Sequence, residues 1–389
     1  MRFSGKARVA AVALAAITVA GLACYIYQLA NGLGVTGMNN SNSWGLYIAM
    51  FMFFVGLSAG GLIVASSAHV FNIESFKKVS IPAIITSIVC ICIAGMFILI
   101  DLGGLYRVWR LFTGPNFVSP LLWDVCVIST YLVINILDLY WLVKGEEHKV
   151  DVLSRIALPV AILVHSVTAW IFGLQIAKAW YSAIMAPIFV ASACDSGLAL
   201  LLICLVVLDK VGLFTFDASL MKSLAGLFAV FIAVDAFFIG CECLTMGYPG
   251  AKEAGALAIM TSGITSPFFW FEIIAGLLIP FLLMVFSKNR EKKGLVVLAS
   301  ALVVAGVCCK RLWLLFTSFV TPNVYGAPGI TTGTSVSQSD PFAMWTTLGT
   351  YAPTAPELMI CLGVISLGIL ALMVMSKTFL ASRESAKSL

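Results

Sequence analysis

Apolar and polar positions along the chain alternate between long uninterrupted apolar runs and short polar connections. Ten runs stand out, near residues 9–30, 44–70, 79–100, 120–143, 153–177, 184–208, 220–247, 267–287, 294–317 and 355–376. A helix needs roughly 20 apolar residues to cross a bilayer, and runs of this length are helical because lipid leaves no other way to satisfy the backbone. The pattern predicts an all-α polytopic membrane protein of about ten transmembrane helices. The longest connection, 321–354, is rich in Gly, Ser, Thr and Pro and holds one charge, Asp340. A loop of that length is expected to act as a lid or a docking surface.

Composition agrees with the pattern. The chain is 61% hydrophobic and 11% charged, with mean hydropathy +1.05. So few charges cannot cover a water-facing surface, and lipid must solvate the molecule instead. The net charge of +5 marks topology and not nucleic-acid binding, because basic residues in membrane proteins collect on the cytoplasmic side. Ten spans place both termini on one side. Arg107, Arg110, Lys178, Lys252, Lys310 and Arg311 then lie toward the outer face, and the other 17 of the 23 Lys and Arg lie in inner segments. That bias predicts cytoplasmic termini. Arg2, Lys6 and Arg8 before the first run resemble a signal peptide, but the run continues to Ala30 without a cleavage site and reads as an uncleaved helix.

The chain carries an internal echo. Phe54-Val55-Gly56-Leu57-Ser58-Ala59-Gly60-Gly61-Leu62 in span 2 is answered by Phe189-Val190 through Ser196-Gly197-Leu198 in span 6. Ser119-Pro120-Leu121-Leu122-Trp123-Asp124, opening span 4, is answered by Ser266-Pro267-Phe268-Phe269-Trp270-Phe271-Glu272, opening span 8. Copies four helices apart share an orientation, so the expected plan is two four-helix bundles related by an axis along the membrane normal. The segments are 1–35, a peripheral first helix; 36–180, the first bundle; 181–320, the second bundle; 321–354, the outer loop; and 355–389, the last helix and a cytoplasmic tail.

An ionisable side chain in lipid costs about 2.5–3.5 kcal/mol on insertion scales, so each one marks a candidate site. Asp101 ends span 3 and Asp124 lies about one turn into span 4, so both carboxylates fall near the same outer depth. Trp44, Tyr47, Tyr106, Arg107, Trp109, Arg110 and Trp123 are expected around them. Oxidising a quinol releases two protons, and carboxylates beneath an interfacial lip would accept them while aromatics grip the ring. The competing reading is an interfacial belt in which Asp–Arg pairs cap helix ends. His165, near or a little beyond mid-membrane in span 5, would hydrogen-bond the ring, relay a proton, or simply bond a neighbouring helix. Asp195, Asp235, Glu242 and Glu272 in the second bundle, with Glu357 opening span 10, form either a proton path or structural pairs with Lys310 or Arg311.

Redox cofactors fit poorly. A b-type haem wants two histidines at one level, yet His69 and His148 lie at the inner side and His165 about 18 Å beyond the inner end of its helix. The eleven cysteines sit within apolar runs, without the C-x-x-C spacing of zinc or iron–sulfur sites. No metal site, haem or cluster is expected in this chain.

Trp44-Gly45 leading into Phe54-Val55-Gly56-Leu57-Ser58-Ala59-Gly60-Gly61 resembles the NrfD/PsrC family, the membrane subunit of polysulfide reductase and its relatives. Asp101-Leu102-Gly103, Ser119-Pro120 with Trp123-Asp124, His165-Ser166 with Trp170, Ser196-Gly197-Leu198-Ala199, Glu272 with Pro280, and Tyr351-Ala352-Pro353-Thr354 with Glu357 continue the resemblance in order. It implies the quinone-reactive membrane subunit of a respiratory, often anaerobic, oxidoreductase complex in a bacterial or archaeal cytoplasmic membrane. Such a subunit is not an enzyme by itself. It exchanges electrons from menaquinone or ubiquinone with an iron–sulfur subunit docked at the outer face, which serves a molybdopterin, cytochrome or hydrogenase-type catalytic subunit. In the ten-helix branch the quinone pocket implied by the resemblance uses the positions of Asp101 and Asp124. The rival functions are a proton-coupled secondary transporter and a structural anchor. A transporter would have broken helices at matching midplane positions, which Pro82, Pro159, Pro187 and Pro280, mostly near helix ends, do not supply.

Overall fold

The computed structural model describes residues 5–39, 42–175, 178–251, 253–320 and 351–387, apart from the side chains of 381–387. Most of the 321–354 loop therefore lies outside the described residues. Among those described, ten helices are long and apolar enough to cross a membrane. They are α1 (Gly5–Asn31), α2 (Leu46–Val70), α3 (Ser80–Asp101), α4 (Pro120–Lys144), α5 (Glu147–Gly173), α6 (Met185–Val211), α7 (Ala218–Gly247), α8 (Ser266–Val285), α9 (Lys293–Val320) and α10 (Ala355–Lys387). The chain is an all-α, multi-pass integral membrane protein.

Most helix ends fall within a few residues of the apolar runs, and the larger differences have a physical cause. α5 starts at Glu147, ahead of its run at 153, because its first turn carries Glu147, His148, Lys149 and Asp151, which hydropathy rejects but a helix emerging into water accepts. α9 continues to Val320, which sets residues in its second half deeper than the run suggests. α8 is α-helical over Ser266–Trp270, π-helical over Phe271–Leu278 and α-helical again over Ile279–Val285. Pro280 cannot donate to the carbonyl of Gly276, and the wider turn absorbs the lost bond.

The packing forms two rings of four. In the first, α2 lies against α3 and α5, and α4 closes the ring between α3 and α5. In the second, α6 lies against α7 and α9, and α8 closes the ring between them. α2 is apolar all round and buried on every face over most of its length, as expected of a helix surrounded by protein. The seam joins α2 to α6 and α9, and α5 to α6. Gly60 and Gly197 meet there: a Cβ on Gly60 would stand 2.7 Å from the Gly197 Cα. With no hydrophobic force between helices in lipid, such close backbone approach supplies the van der Waals contact that holds the rings together. Trp44 and Trp180, which precede α2 and α6, stack across the same seam with centroids 6.3 Å apart. α1 stands outside the rings against α10, which packs on α3.

Candidate functional site

Asp101 and Asp124 stand at the same end of the first ring. Ser119 is extended and Pro120 begins α4, where a proline's missing N–H costs nothing, and the second turn then carries Asp124 inward. Asp124 is 1% exposed. Its Oδ1 accepts a 2.6 Å hydrogen bond from Thr168 Oγ1 of α5, and its Oδ2 has no partner. Asp101 is half-buried, and its Oδ1, shielded from solvent, also lacks a partner. No hydrogen bond or ion pair joins the two carboxyls, and neither meets an arginine. Arg107 instead donates to its neighbour Tyr106, 2.9 Å from Nε, and lies over that ring, while Arg110 lies over Trp109. The Asp–Arg capping pairs of the interfacial-belt reading are therefore absent among the described residues.

The expected aromatic cage divides into three groups. Tyr106, Trp109 and Trp123 are exposed at the lip, with Trp123 Nε1 donating to the Phe117 carbonyl at 2.7 Å. Tyr47 is fully buried and donates to Gln28 Oε1 of α1 at 2.7 Å, while Gln28 Nε2 donates to the Ile100 carbonyl at 3.2 Å. Trp44 belongs to the seam, edge-on to Phe172 at 5.5 Å.

His165 lies one turn before Thr168 on α5 and is fully buried. Its Nε2 is 3.3 Å from an Arg311 NH2 that also donates to Ser192 Oγ at 2.7 Å. A guanidinium can only donate, so Nε2 accepts and the ring proton sits on Nδ1, which has no partner. Gly56 of α2 leaves room for this pair: a Cβ there would lie 3.3 Å from the imidazole and 3.6 Å from Arg311.

Arg311 leads into a second polar cluster. Lys310 Nζ lies 2.8 Å from both carboxylate oxygens of Asp235 and 3.1 Å from Glu272 Oε1, with all three side chains almost wholly buried. Trp313 Nε1 donates to Glu272 Oε2 at 2.5 Å. Asp195 is buried with neither oxygen partnered. Glu242 stands apart, accepting from Ser182 Oγ at 2.9 Å and lining a cavity of about 40 Å³ beside Trp180 and Trp313. Lys310 thus forms the pairs with buried acids that the sequence offered as the alternative to a proton path. Lys310 and Arg311 are fully buried, ten residues before the end of α9. The two rings also match in detail. Asp124 and Glu272 lie in the second turns of α4 and α8, Thr168 and Trp313 donate to them, and His165 and Lys310 each stand three residues before that donor.

The polysulphide reductase NrfD family model matches residues 34–323, from the connection before α2 to just beyond α9. The chain belongs to the NrfD family. It is 35% identical over 386 residues, 92% of this chain and 88% of the relative, to a candidate membrane subunit of dimethyl sulfoxide reductase from Halobacterium salinarum. It is 33% identical over 320 residues to the Hdr-like menaquinol oxidoreductase integral membrane subunit of Archaeoglobus fulgidus, covering 81% of this chain and 80% of that one. It is 27% identical over 364 residues to a selenate reductase subunit of Mesobacillus selenatarsenatis, covering 80% of this chain and 82% of that one.

Within this NrfD chain, bond satisfaction separates two kinds of buried acid. Glu357, grouped by sequence with the other acids, is a structural knot. Its Oε2 accepts from the Gly37 and Thr354 amides at 2.8 and 2.9 Å, and its Oε1 from Tyr351 at 2.7 Å. The open oxygens of Asp101, Asp124 and Asp195 have no such structural account, and an unsatisfied buried polar atom demands one. Sequence reasoning missed Thr168, Gln28 and Asp138. Asp138 is buried on α4 with an unpartnered Oδ1, near Asn135 and a knot of Tyr131, Ser58 and Ser87. Its signal was available: a lone acid inside an apolar run.

Proposed function

We propose that this chain is the quinol-reactive membrane subunit of a respiratory oxidoreductase, passing electrons to a partner iron–sulfur subunit that serves a separate catalytic subunit. The observation that carries this reading is the pair of open carboxylate oxygens at one end of the first ring, beside arginines engaged elsewhere. The names of the relatives support the same class, since one is a menaquinol oxidoreductase subunit and another, 28% identical over 118 residues, is the menaquinone reductase integral membrane subunit of Nitratidesulfovibrio vulgaris. Menaquinol or ubiquinol would supply two electrons and two protons. Asp124 Oδ2 would take one hydroxyl proton, with the carboxyl held in a single orientation by Thr168. Asp101, half-exposed at the helix end, would take the other and pass it to water. His165, its proton on Nδ1, would donate a hydrogen bond to the ring oxygen and not accept a proton. The basic bias of the connections supports cytoplasmic termini, with the site and the partner on the outer side.

Proton movement through the second ring is part of the same proposal. Asp195, Asp235 and Glu272 are three carboxyls against the two cations Lys310 and Arg311. A neutral cluster therefore holds one proton that can be taken up or released, and Glu242 would connect it to the surface. A secondary transporter is less well supported, because the π-helical stretch of α8 has no counterpart in α4, which is an unbroken α-helix.

The test is Asp124→Asn, measured as quinol turnover per assembled complex. Loss of a proton acceptor should lower turnover by ~10²-fold or more, while an artificial electron donor still drives the partner's terminal reaction. Wild-type turnover in Asp124→Asn and Asp101→Asn would remove both carboxylates from the mechanism.

A further inference from the structure

The family match ends short of two helices. α1 and α10 lie outside residues 34–323 and pack on each other beside α3. Between them and α3 lies a cavity of about 320 Å³. Its walls are almost wholly apolar, with Leu22 from α1, Met96 and Leu99 from α3, and Leu367 from α10.

Two fixed points frame this slot. Toward its middle α1 and α10 touch at Gly21 and Gly363, where a Cβ on Gly21 would stand 2.7 Å from the Gly363 Cα. At its upper end Gln28 pins α1 to Tyr47 and to the Ile100 carbonyl. Gln28 is a buried amide on a helix otherwise turned mostly to lipid, and it fixes the gap instead of letting α1 collapse onto α3. Above it Gln28, Leu33 and Gly103 close a cleft too tight for a water, which shares Tyr25, Leu99, Ile100 and Leu105 with the slot. The slot itself ends at Ile100 and Leu105, on either side of Asp101 in sequence. From Thr18 to Tyr25 the slot follows α1 for roughly 10 Å at 1.5 Å per residue, inward from the Asp101 end.

We infer that this slot seats the isoprenoid tail of the quinol whose ring is bound at the Asp101–Asp124 end, an inference that rests on the quinol reading above. Three features select that occupant. The slot is long, narrow and apolar, as a prenyl chain requires. It opens sideways to lipid past Leu22, Leu99 and Leu367, which are exposed, so a membrane-dissolved chain can enter without crossing water. None of the residues lining the slot or the cleft is charged, which leaves a phosphate headgroup without a counter-ion at the lip but suits a chain joined to an uncharged ring.

The experiment uses the assembled complex and whichever quinol, menaquinol or ubiquinol, the wild type oxidises, supplied in long-chain form and as the tailless ring. Leu22→Trp and Leu367→Trp fill the slot from two different helices at lipid-facing positions that tolerate bulk. Leu362→Trp, exposed on α10 but not lining the slot, is the control. The tail comes from lipid, so filling the slot costs it van der Waals contact and room and not hydrophobic burial, and KM for the long-chain quinol should rise severalfold. The control, and KM for the tailless ring in every variant, should match wild type. An unchanged KM for the long-chain quinol in both slot variants, or an equal rise for both quinols, overturns the slot. A wild-type complex inert toward both quinols defeats the quinol reading itself, and the slot with it.

Discussion

Lys310→Met is the most exposed test of how the second ring is held together. Methionine preserves length and apolar bulk but removes the cation that lies 2.8 Å from both oxygens of Asp235 and 3.1 Å from Glu272. Breaking a buried ion pair by removing one partner costs about 3–5 kcal/mol, because the remaining charge has neither water nor a counter-ion. Here two carboxylates lose their nearest cation, and Arg311 is engaged with Ser192 and His165. The expected loss is at the upper end of that range, enough to shift the folded fraction by ~10³-fold. Replacing the whole set, Lys310→Met with Asp235→Asn and Glu272→Gln, should recover most of that loss, since exchanging a buried charge cluster for neutral groups of similar size is close to neutral. Thermal unfolding of the purified complex in one detergent, for wild type, single and triple variants, reads the difference. Carboxyls that take up protons need no counter-ion, so the penalty in the single variant should shrink as pH falls. A single variant as stable as wild type, or a triple variant no better than the single, would refute the reasoning. The triple variant also separates the cluster's two roles, because it keeps the fold while leaving Asp195 and Glu242 as the carboxyls of the proposed path.

Glu357→Gln should lower stability by about 1–3 kcal/mol, since it weakens charge-assisted bonds from two amides and a phenol, with quinol turnover per assembled complex unchanged; turnover lost at wild-type stability would contradict the structural role. Gly60→Leu should prevent the two rings from closing, read as loss of folded subunit by size-exclusion chromatography. Gly95→Ala, on α3 where an added Cβ meets nothing within 4 Å, should be neutral or stabilise by up to ~1 kcal/mol. Equal effects at the two glycines would remove the seam from the account.

Apolar length made the ten spans legible, because the bilayer allows one solution for a 20-residue apolar run. The positions of Asp101 and Asp124 were legible too, as acids at the ends of such runs. Depth within a helix was harder to read. Lys310 and Arg311 were counted with the charges toward the outer face, and a charge count does not show that they are buried among Asp235, Glu272, Ser192 and His165. Charge counting also ignores what a residue touches. Arg107 and Arg110 were expected beside the aspartates but turn to Tyr106 and Trp109, and Glu357 looked like a candidate acid but is fully bonded. Gln28 gave no signal, since a polar residue near the end of a lipid-facing helix reads as an ordinary interfacial position until its two buried bonds are seen.

The pairing of α1 with α10 has a consequence for how the protein is made. α1 finds its main partner at the other end of the chain, and the Glu357 knot ties Gly37 to Thr354 only once that end has been synthesised. At roughly 5–20 residues per second, α1 waits on the order of tens of seconds in the bilayer, tied to α2 and α3 through Gln28 while its Gly21 face has no partner helix. During most of that interval the nascent protein exposes the small-residue face of α1 around Gly21 to lipid beside a complete first ring. A membrane chaperone that holds single helices would have its longest engagement with this segment, and premature termination within α10 would leave α1 as the most conspicuous mark for quality-control proteolysis.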